Sequence, residues 1–424
     1  MVRYPVVPVL LALLALQWAS AQFSQSPTLL LQVDAGKANI PVAKILNGPP
    51  PPQGIPALGF TGSFNRLIPA TQPPKFVSPG AASTWIKDFE PVILFEFAGE
   101  AKAYPLQIMV WHEIINDTVG GVPVAVTFCP LCNSAMAFDL RVPLTAQLRQ
   151  EVLERNPYAH LVPLDDAFLE AYTDQHGQAS VVGISTSLQL SFGNTGMLYN
   201  SNLLMFDSET SSFWSQISGK GNVGTLTGVR LLRYPAQIIS FGEFRELFPE
   251  APVLSRETGF ARPYGQNAYL GYDRIDEPPF LLLGAADGRL PPHLRVASLE
   301  LDGEAVAYPF DLLAEVKVIN DTVAGVPITV FWQSGESTPE GEDLPEVAVF
   351  KRQVAGRTLS FHSADGEFVD TETGSHWNLV GHAVSGELTG TELEPVIHDN
   401  TFWFAWAAFK PGTRVYQQPQ TQGE

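Results

Sequence analysis

Apolar and polar positions alternate along this chain in short runs, and those runs predict strands. PVILFEF (91–97) and EAKAY (100–104) flank an Ala98-Gly99 turn and read as a hairpin. VPVAVTF (122–128), SAMAFDLRV (134–142), LQLSF (188–192) and NLLMF (202–206) continue the strand pattern. Helical periodicity is confined to a few places. Pro105 opens a helix-like stretch that runs through Ile115, and Asn116-Asp117-Thr118 with Gly120-Gly121 ends it. LTAQLRQEVLERN and DDAFLEAYTDQ, both within 140–180, have helical spacing, as does FGEFRELFP around Gly242–Pro249. The pattern predicts a strand-dominated α+β protein.

The same pattern occurs twice. Residues 99–128 and 303–332 align without a gap, and half of their positions are identical. Tyr104/Tyr308, Pro105/Pro309, Asn116/Asn320, Asp117/Asp321, Thr118/Thr322, Gly121/Gly325 and Pro123/Pro327 are kept. Upstream, PVILFEF parallels RVASLEL (295–301). Downstream, LSF at 190–192 parallels LSF at 359–361, and FDSETSSFW (206–214) parallels VDTETGSHW (369–377). This predicts a tandem duplication with domains at 76–285 and 286–424, the second shorter because it lacks most of 140–180. Asp207, Trp214 and the NDT segments recur in both halves and are read as structural. Both NDT segments also match the glycosylation sequon, but their repetition favours turn chemistry.

Two flanking segments differ in character. MVRYPVVPVLLALLALQWASAQ has one early positive charge, an apolar run and a small-residue cleavage signal. It reads as a signal peptide over 1–21, cut after Ala21. The expected location is secreted or periplasmic, with no transmembrane segment in the mature chain. Residues 22–75, with Pro49-Pro50-Pro51-Pro52, read as a Pro/Gly-rich extension. A formal charge of −19 argues against a nucleic-acid partner, since phosphate binding needs clustered Lys and Arg.

The residues able to do chemistry are not shared by the two halves. His112 faces Val316, Glu113 faces Lys317, Cys129 faces Gln333 and Cys132 faces Glu336. Cys129 and Cys132 are the chain's two cysteines, and a CxxC pair closes almost no loop, so fold stability is a poor explanation for it. CPLC lies between two predicted strands and opens no evident helix, unlike redox motifs in which a helix N-terminus lowers the first thiol's pKa. A strand–CPLC–strand arrangement resembles a metal knuckle, with Asn133 suited to a left-handed turn position. His112 is the natural third ligand, giving a Cys₂His set for copper or zinc. Met136 and Met197 are weaker thioether candidates. Glu113 is an acid/base candidate. HEIIN is not the HExxH protease motif. Tyr199, Asn200 and Asn202 fall where the second half is shortened, and are candidates for lining a pocket.

WHEIINDTVGGVPVAVTFCPLCNSAMAFD, LSFGNTGMLYNSNLLMFDSETSSFWSQISG and the tail RPYGQNAYLGYD (262–273) resemble a bacterial and archaeal family catalogued as domain of unknown function 3179. The resemblance covers about 76–273 and implies a compact secreted or membrane-associated domain, with no established activity. Asn133 stands where the family pattern has Gly. Three readings follow. One is a soft-metal protein using His112, Cys129 and Cys132. The second is a thiol–disulfide redox protein using Cys129 and Cys132. The third is a non-catalytic extracellular binding module. A cysteine-nucleophile hydrolase is a weaker fourth, because CxxC spacing gives it no use for the second thiol.

Overall fold

The computed structural model describes residues 32–48, 54–66, 68–275, 277–337 and 343–418. The signal-peptide segment 1–21 and the Pro49–Pro52 run lie outside the described residues. Strand outweighs helix, 39% against 16%, in an α+β arrangement. No described helix is long and apolar enough to cross a membrane.

In the first half, β1 (Pro91–Phe97) and β2 (Glu100–Pro105) form the expected hairpin. Next come α1 (Leu106–His112), β3 (Ile114–Val119), β4 (Val122–Cys129) and β5 (Ser134–Asp139). Two amphipathic helices, α2 (Ala146–Arg155) and α3 (Asp166–His176), match the periodicity of 140–180. A hairpin of β6 (Phe192–Tyr199) and β7 (Asn202–Asp207) follows, then β8 (Gln237–Ser240), α4 (Phe241–Leu247) and β9 (Val253–Leu254). The second half runs β10 (Arg295–Leu301), β11 (Glu304–Pro309), α5 (Phe310–Val316), β12 (Val318–Val323), β13 (Val326–Ser337) and β14 (Asp343–Lys351). It continues with β15 (Phe361–Ala364), β16 (Glu367–Asp370), β17 (Asp399–Phe402), α6 (Trp403–Phe409) and β18 (Arg414–Val415).

The two halves share a sheet order. In the first, β8 pairs antiparallel with β1, β1 with β2, and β2 parallel with β9. In the second, β17 pairs antiparallel with β10, β10 with β11, and β11 parallel with β18. The recurring residues explain this. Tyr104 and Tyr308 each donate to an Asp within β3 and β12, Asp117 at 2.7 Å and Asp321 at 2.8 Å. Trp214 and Trp377 each donate to an Asp, Asp207 and Asp370, at 3.0 Å.

Two sequence expectations are corrected. The helix after Pro105 ends at His112, because Glu113 takes a left-handed conformation (φ 58°) and its N–H returns to the Met109 carbonyl at 2.7 Å. NDT is not a turn. Asn116 lies in β3, where its Nδ2 donates to the carbonyls of Leu58 and Phe192 and its Oδ1 accepts the Phe192 N–H at 2.7 Å. Asn320 makes the same two-way contact with the Phe361 backbone. The side-chain amide thus ties one strand to the Phe of the following LSF segment, which is why NDT and LSF recur together. Asn116 is also buried and occupied, which does not suit a glycan acceptor.

Two hydrophobic cores cross the 285/286 position. One packs Cys129, Cys132, Met136, Met197 and Met205 with Phe402, Phe404 and Ala405. The other joins Val92, Leu94 and Phe241 to Phe331, Phe350 and Trp377. Met136 and Met197 fill core space, a usual role for this flexible side chain.

Asn116 is buried and Asn320 exposed, so their loss should differ. Asn116→Ala removes the side-chain partner of the buried Phe192 N–H and carbonyl, while the Leu58 carbonyl keeps the Asn116 backbone N–H at 2.9 Å. It should cost roughly 2 kcal/mol, against about 1 kcal/mol for Asn320→Ala. Urea unfolding of the two variants checks this.

Candidate functional site

β4 ends at Cys129 and β5 begins at Ser134, and the two residues face each other across the ladder. CPLC is therefore a strand-to-strand turn, as its flanks predict. The Cys132 N–H closes it on the Cys129 carbonyl at 3.1 Å, and Asn133 is left-handed (φ 53°). Asn tolerates that region better than most residues. It also uses the side chain a Gly would lack, with Nδ2 donating to the Asn400 carbonyl at 2.9 Å. The Cys132 carbonyl accepts the Phe402 N–H at 2.9 Å. The second half thus clamps the turn.

Both thiols are buried and free, and the pair lies 3.4 Å apart. Cys132 Sγ contacts the Ser201 carbonyl at 3.6 Å and accepts from Asn202 Nδ2 at 3.5 Å. Asn202 is itself fixed by Gln216 Oε1 at 2.9 Å and by the Ile217 N–H at 3.0 Å. Ser201 and Asn202 stand at the tip of the β6–β7 hairpin. The corresponding β15–β16 hairpin has the same two-residue left-handed turn at Asp365-Gly366 but shorter arms. Of the three residues singled out in this segment, Asn202 reaches a thiol. Tyr199 packs on Phe409, its ring centre 6.2 Å away. The Asn200 side chain makes no hydrogen bond among the described residues, and its backbone is left-handed in the turn (φ 50°).

Glu113 lies within electrostatic range of Cys129. Its carboxylate accepts from Asn194 Nδ2 at 2.7 Å and from the Tyr269 hydroxyl at 3.4 Å. Burial raises its pKa to about 7, with the two hydrogen bonds opposing the rise. The Cys129 thiol is held well above its ordinary value, first by burial, then by Cys132 and by the charge of Glu113. Burial likewise raises Tyr269, with Glu113 and Cys129 adding to it. The left-handed backbone at Glu113 is not special to this chemistry, because Lys317 has the same conformation (φ 63°) in the other half. There the Lys317 ammonium sits over the Trp332 ring, 3.7 Å from its centre.

His112, one residue earlier, goes elsewhere. Its Nδ1–H donates to the Pro56 carbonyl at 2.7 Å, which leaves Nε2 to accept from the Tyr264 hydroxyl at 2.6 Å. Tyr264 in turn bonds Thr258 Oγ1 at 2.5 Å. Burial lowers the imidazole pKa to about 4, so the ring is neutral. Among the described residues no three His, Cys, Asp or Glu side chains gather as a metal-binding group. The structure therefore does not bring His112 to Cys129 and Cys132 as the expected Cys₂His set. Both ring nitrogens already have partners, and Glu113, whose charge is felt at Cys129, does not complete a three-ligand group with the thiols either.

Against known proteins, the family model for proteins of unknown function, DUF3179, matches residues 66–413. The chain belongs to this family. The match runs through both halves, beyond the 76–273 that the sequence motifs suggest. No curated protein and no solved structure matches the chain. The DUF3179 tail after Arg262 supplies the residues that pattern reading misses. Tyr264 holds His112, Tyr269 holds Glu113, and Tyr272 lies near both thiols. Their one visible signal is that RPYGQNAYLGYD is among the segments that carry the family resemblance.

His112 and Glu113 titrate in opposite directions, and the signs fix a prediction. The folded imidazole resists protonation down to about pH 4 while the unfolded one protonates at 6.5, so stability falls as pH drops through 6.5 toward 4. The folded carboxyl keeps its proton up to about pH 7 while the unfolded one loses it at 4.5, so stability falls as pH rises from 4.5 to 7. The two largely cancel between pH 4.5 and 6.5. Glu113→Gln should unmask an acid sensitivity on the order of 3 kcal/mol, and His112→Asn should leave a protein that gains stability on acidification from pH 7 to 4.5. Thermal unfolding across pH 4–8 separates the two; parallel curves for wild type and both variants would refute the assignment.

Proposed function

We propose that Cys129 and Cys132 form a buried thiol–disulfide redox site with Glu113 as its proton acceptor. The observation carrying this reading is the thiol pair at 3.4 Å, not joined as a disulfide, within electrostatic range of a buried carboxyl whose pKa is raised to about 7. A disulfide bond is about 2.05 Å long, so closure needs a small approach of the two sulfurs. Glu113, half-ionised at neutral pH, is matched to the task of taking a proton from a reluctant thiol.

The exchange balances as follows. Cys129 gives its proton to Glu113 and its sulfur attacks a disulfide RSSR, forming a mixed disulfide and releasing one RS⁻. Cys132 then attacks Cys129, closing the intramolecular disulfide and releasing the second RS⁻. The two thiol protons end on the two released thiolates. The direction follows from burial. Strongly oxidising dithiols have a stabilised reduced form, whereas here the thiolate is disfavoured, so the pair is set to give electrons rather than accept them. Both sulfurs are shielded by the turn and by the tyrosines of the tail. Tyr269 and Tyr272 must swing aside before RSSR can reach them.

Two companion proposals go with this one. The halves are two copies of one unit, supported by their matching sheet order. The protein is exported, as residues 1–21 suggest, into a compartment where exposed thiols are oxidised and a buried dithiol keeps its electrons.

Mass spectrometry tests the function. Treatment with a small disulfide should remove two hydrogens from the wild type and none from Cys129→Ser. Glu113→Gln should slow closure on the order of tenfold or more and remove the rise in rate near pH 7. Elemental analysis of protein isolated without chelators is the counter-test. One copper or zinc bound per chain through the two thiols would replace this reading with the soft-metal one.

A further inference from the structure

A cavity of about 280 Å³ lies against the outer side of the CPLC turn. Phe128, Pro130 and Asn133 form one wall, Tyr269 and Tyr272 of the tail another, and Arg295 of the second half enters between them. The volume lies just under the roughly 300–1,000 Å³ of drug-sized sites, so a small ligand is implied.

Arg295 is the informative residue. It begins β10, and its backbone pairs with Phe402, the residue whose N–H holds the Cys132 carbonyl. Its guanidinium makes no hydrogen bond to any described residue. The nearest carboxylate, Asp273, stands 3.7 Å away, and the Asp273 side chain is more than half exposed. The other acid on the cavity wall, Glu90, already accepts from the Lys87 N–H at 2.9 Å and from Gln107 Nε2 at 2.6 Å. An arginine presents five N–H donors in a rigid fork that matches a carboxylate. One whose only carboxylate is this long, half-exposed ion pair keeps donors free inside the cavity for an oxyanion. The strand itself does not call for a cation, because the equivalent first position of β1 is Pro91, which lines the same cavity. The aromatic residues lining the same cavity, Phe128, Tyr269, Tyr272 and Phe402, can cover an apolar body.

We propose that this cavity binds a small carboxylate-bearing disulfide, the oxidant of the Cys129–Cys132 pair, with Arg295 gripping the carboxylate. This rests on the redox reading above and names its substrate class. Docking at Arg295 holds the disulfide against the Pro130 and Tyr272 wall, behind which the thiols lie. Exchange then follows the stoichiometry already given, one dithiol and one RSSR becoming one protein disulfide and two RSH. The second half, which lacks reactive residues of its own, supplies the specificity.

The test compares oxidation of the full chain by three disulfides of similar size. Dithiodiglycolate is anionic, hydroxyethyl disulfide neutral and cystamine cationic. The chain carries a formal charge of −19, so bulk electrostatics disfavours the anion and a preference for it cannot come from the overall field. Dithiodiglycolate should react about tenfold or more faster than the neutral reagent. Arg295→Gln should bring the two to parity, and Arg295→Lys should restore part of the preference. Adipate, which has the carboxylates without the sulfur, should slow the anionic reagent alone. Equal rates in the wild type, or a preference that survives Arg295→Gln, would overturn the site while leaving the redox reading intact. Failure of all three reagents to oxidise the pair would overturn the redox reading, and this proposal with it.

Discussion

A buried turn can exist only if its backbone polar groups find partners, and that constraint governs the site. CPLC sits in a dry core, where an unpaired carbonyl is costly. The Phe402 N–H answers the Cys132 carbonyl, and the Asn133 side chain answers the Asn400 carbonyl. Both partners come from β17, more than 260 residues further along the chain than the turn. The thiols are thus held by a strand that carries none of the chemistry. The hydrophobic core beneath them is shared in the same way, since Phe402 and Phe404 pack with Cys129 and Cys132.

Burial also decides the charge state of the site. His112 and Glu113 are neighbours in sequence, yet the left-handed residue at the end of α1 sends them to different partners. One bonds Pro56 and Tyr264, the other Asn194 and Tyr269. Loss of solvent pushes the imidazole down and the carboxyl up, so both favour the neutral form. A neutral histidine with two fixed hydrogen bonds is a structural strut. A carboxyl poised near neutrality, its charge felt at Cys129, is the group to which the proposed redox site assigns proton transfer. The same physical cause gives the adjacent residues different roles.

Comparison of the halves separates scaffold from chemistry more sharply than either half alone. Tyr–Asp, Asn–Phe and Asp–Trp pairs are made at matching places with nearly the same distances. Even the left-handed backbone is retained at Lys317. That conformation at Glu113 is therefore an architectural device that reverses the chain into β3. What differs is the turn. Where the first half closes tightly at CPLC, β13 runs on as a continuous strand through Ser337.

The sequence by itself determined the strand-rich class, the two-fold pattern of elements, the helices between 140 and 180, and the strand–CPLC–strand turn. These follow from local periodicity and turn chemistry, which act over a few residues. It also determined that Cys129, Cys132 and Glu113 stand apart from the scaffold, because the second half keeps the frame without them. Only the tertiary structure decided which of those residues meet. His112 and Glu113 differ by one position, so no spacing rule could say that the charge felt at Cys129 is the acid's and that the imidazole is tied to Pro56 and Tyr264. The NDT segments were misread as turns because the partner of Asn116, the Phe192 backbone, is 76 residues distant. Tyr264, Tyr269 and Arg295 carry no local motif at all. Their roles arise from burial beside groups far away in sequence, and burial is a property of the packed chain.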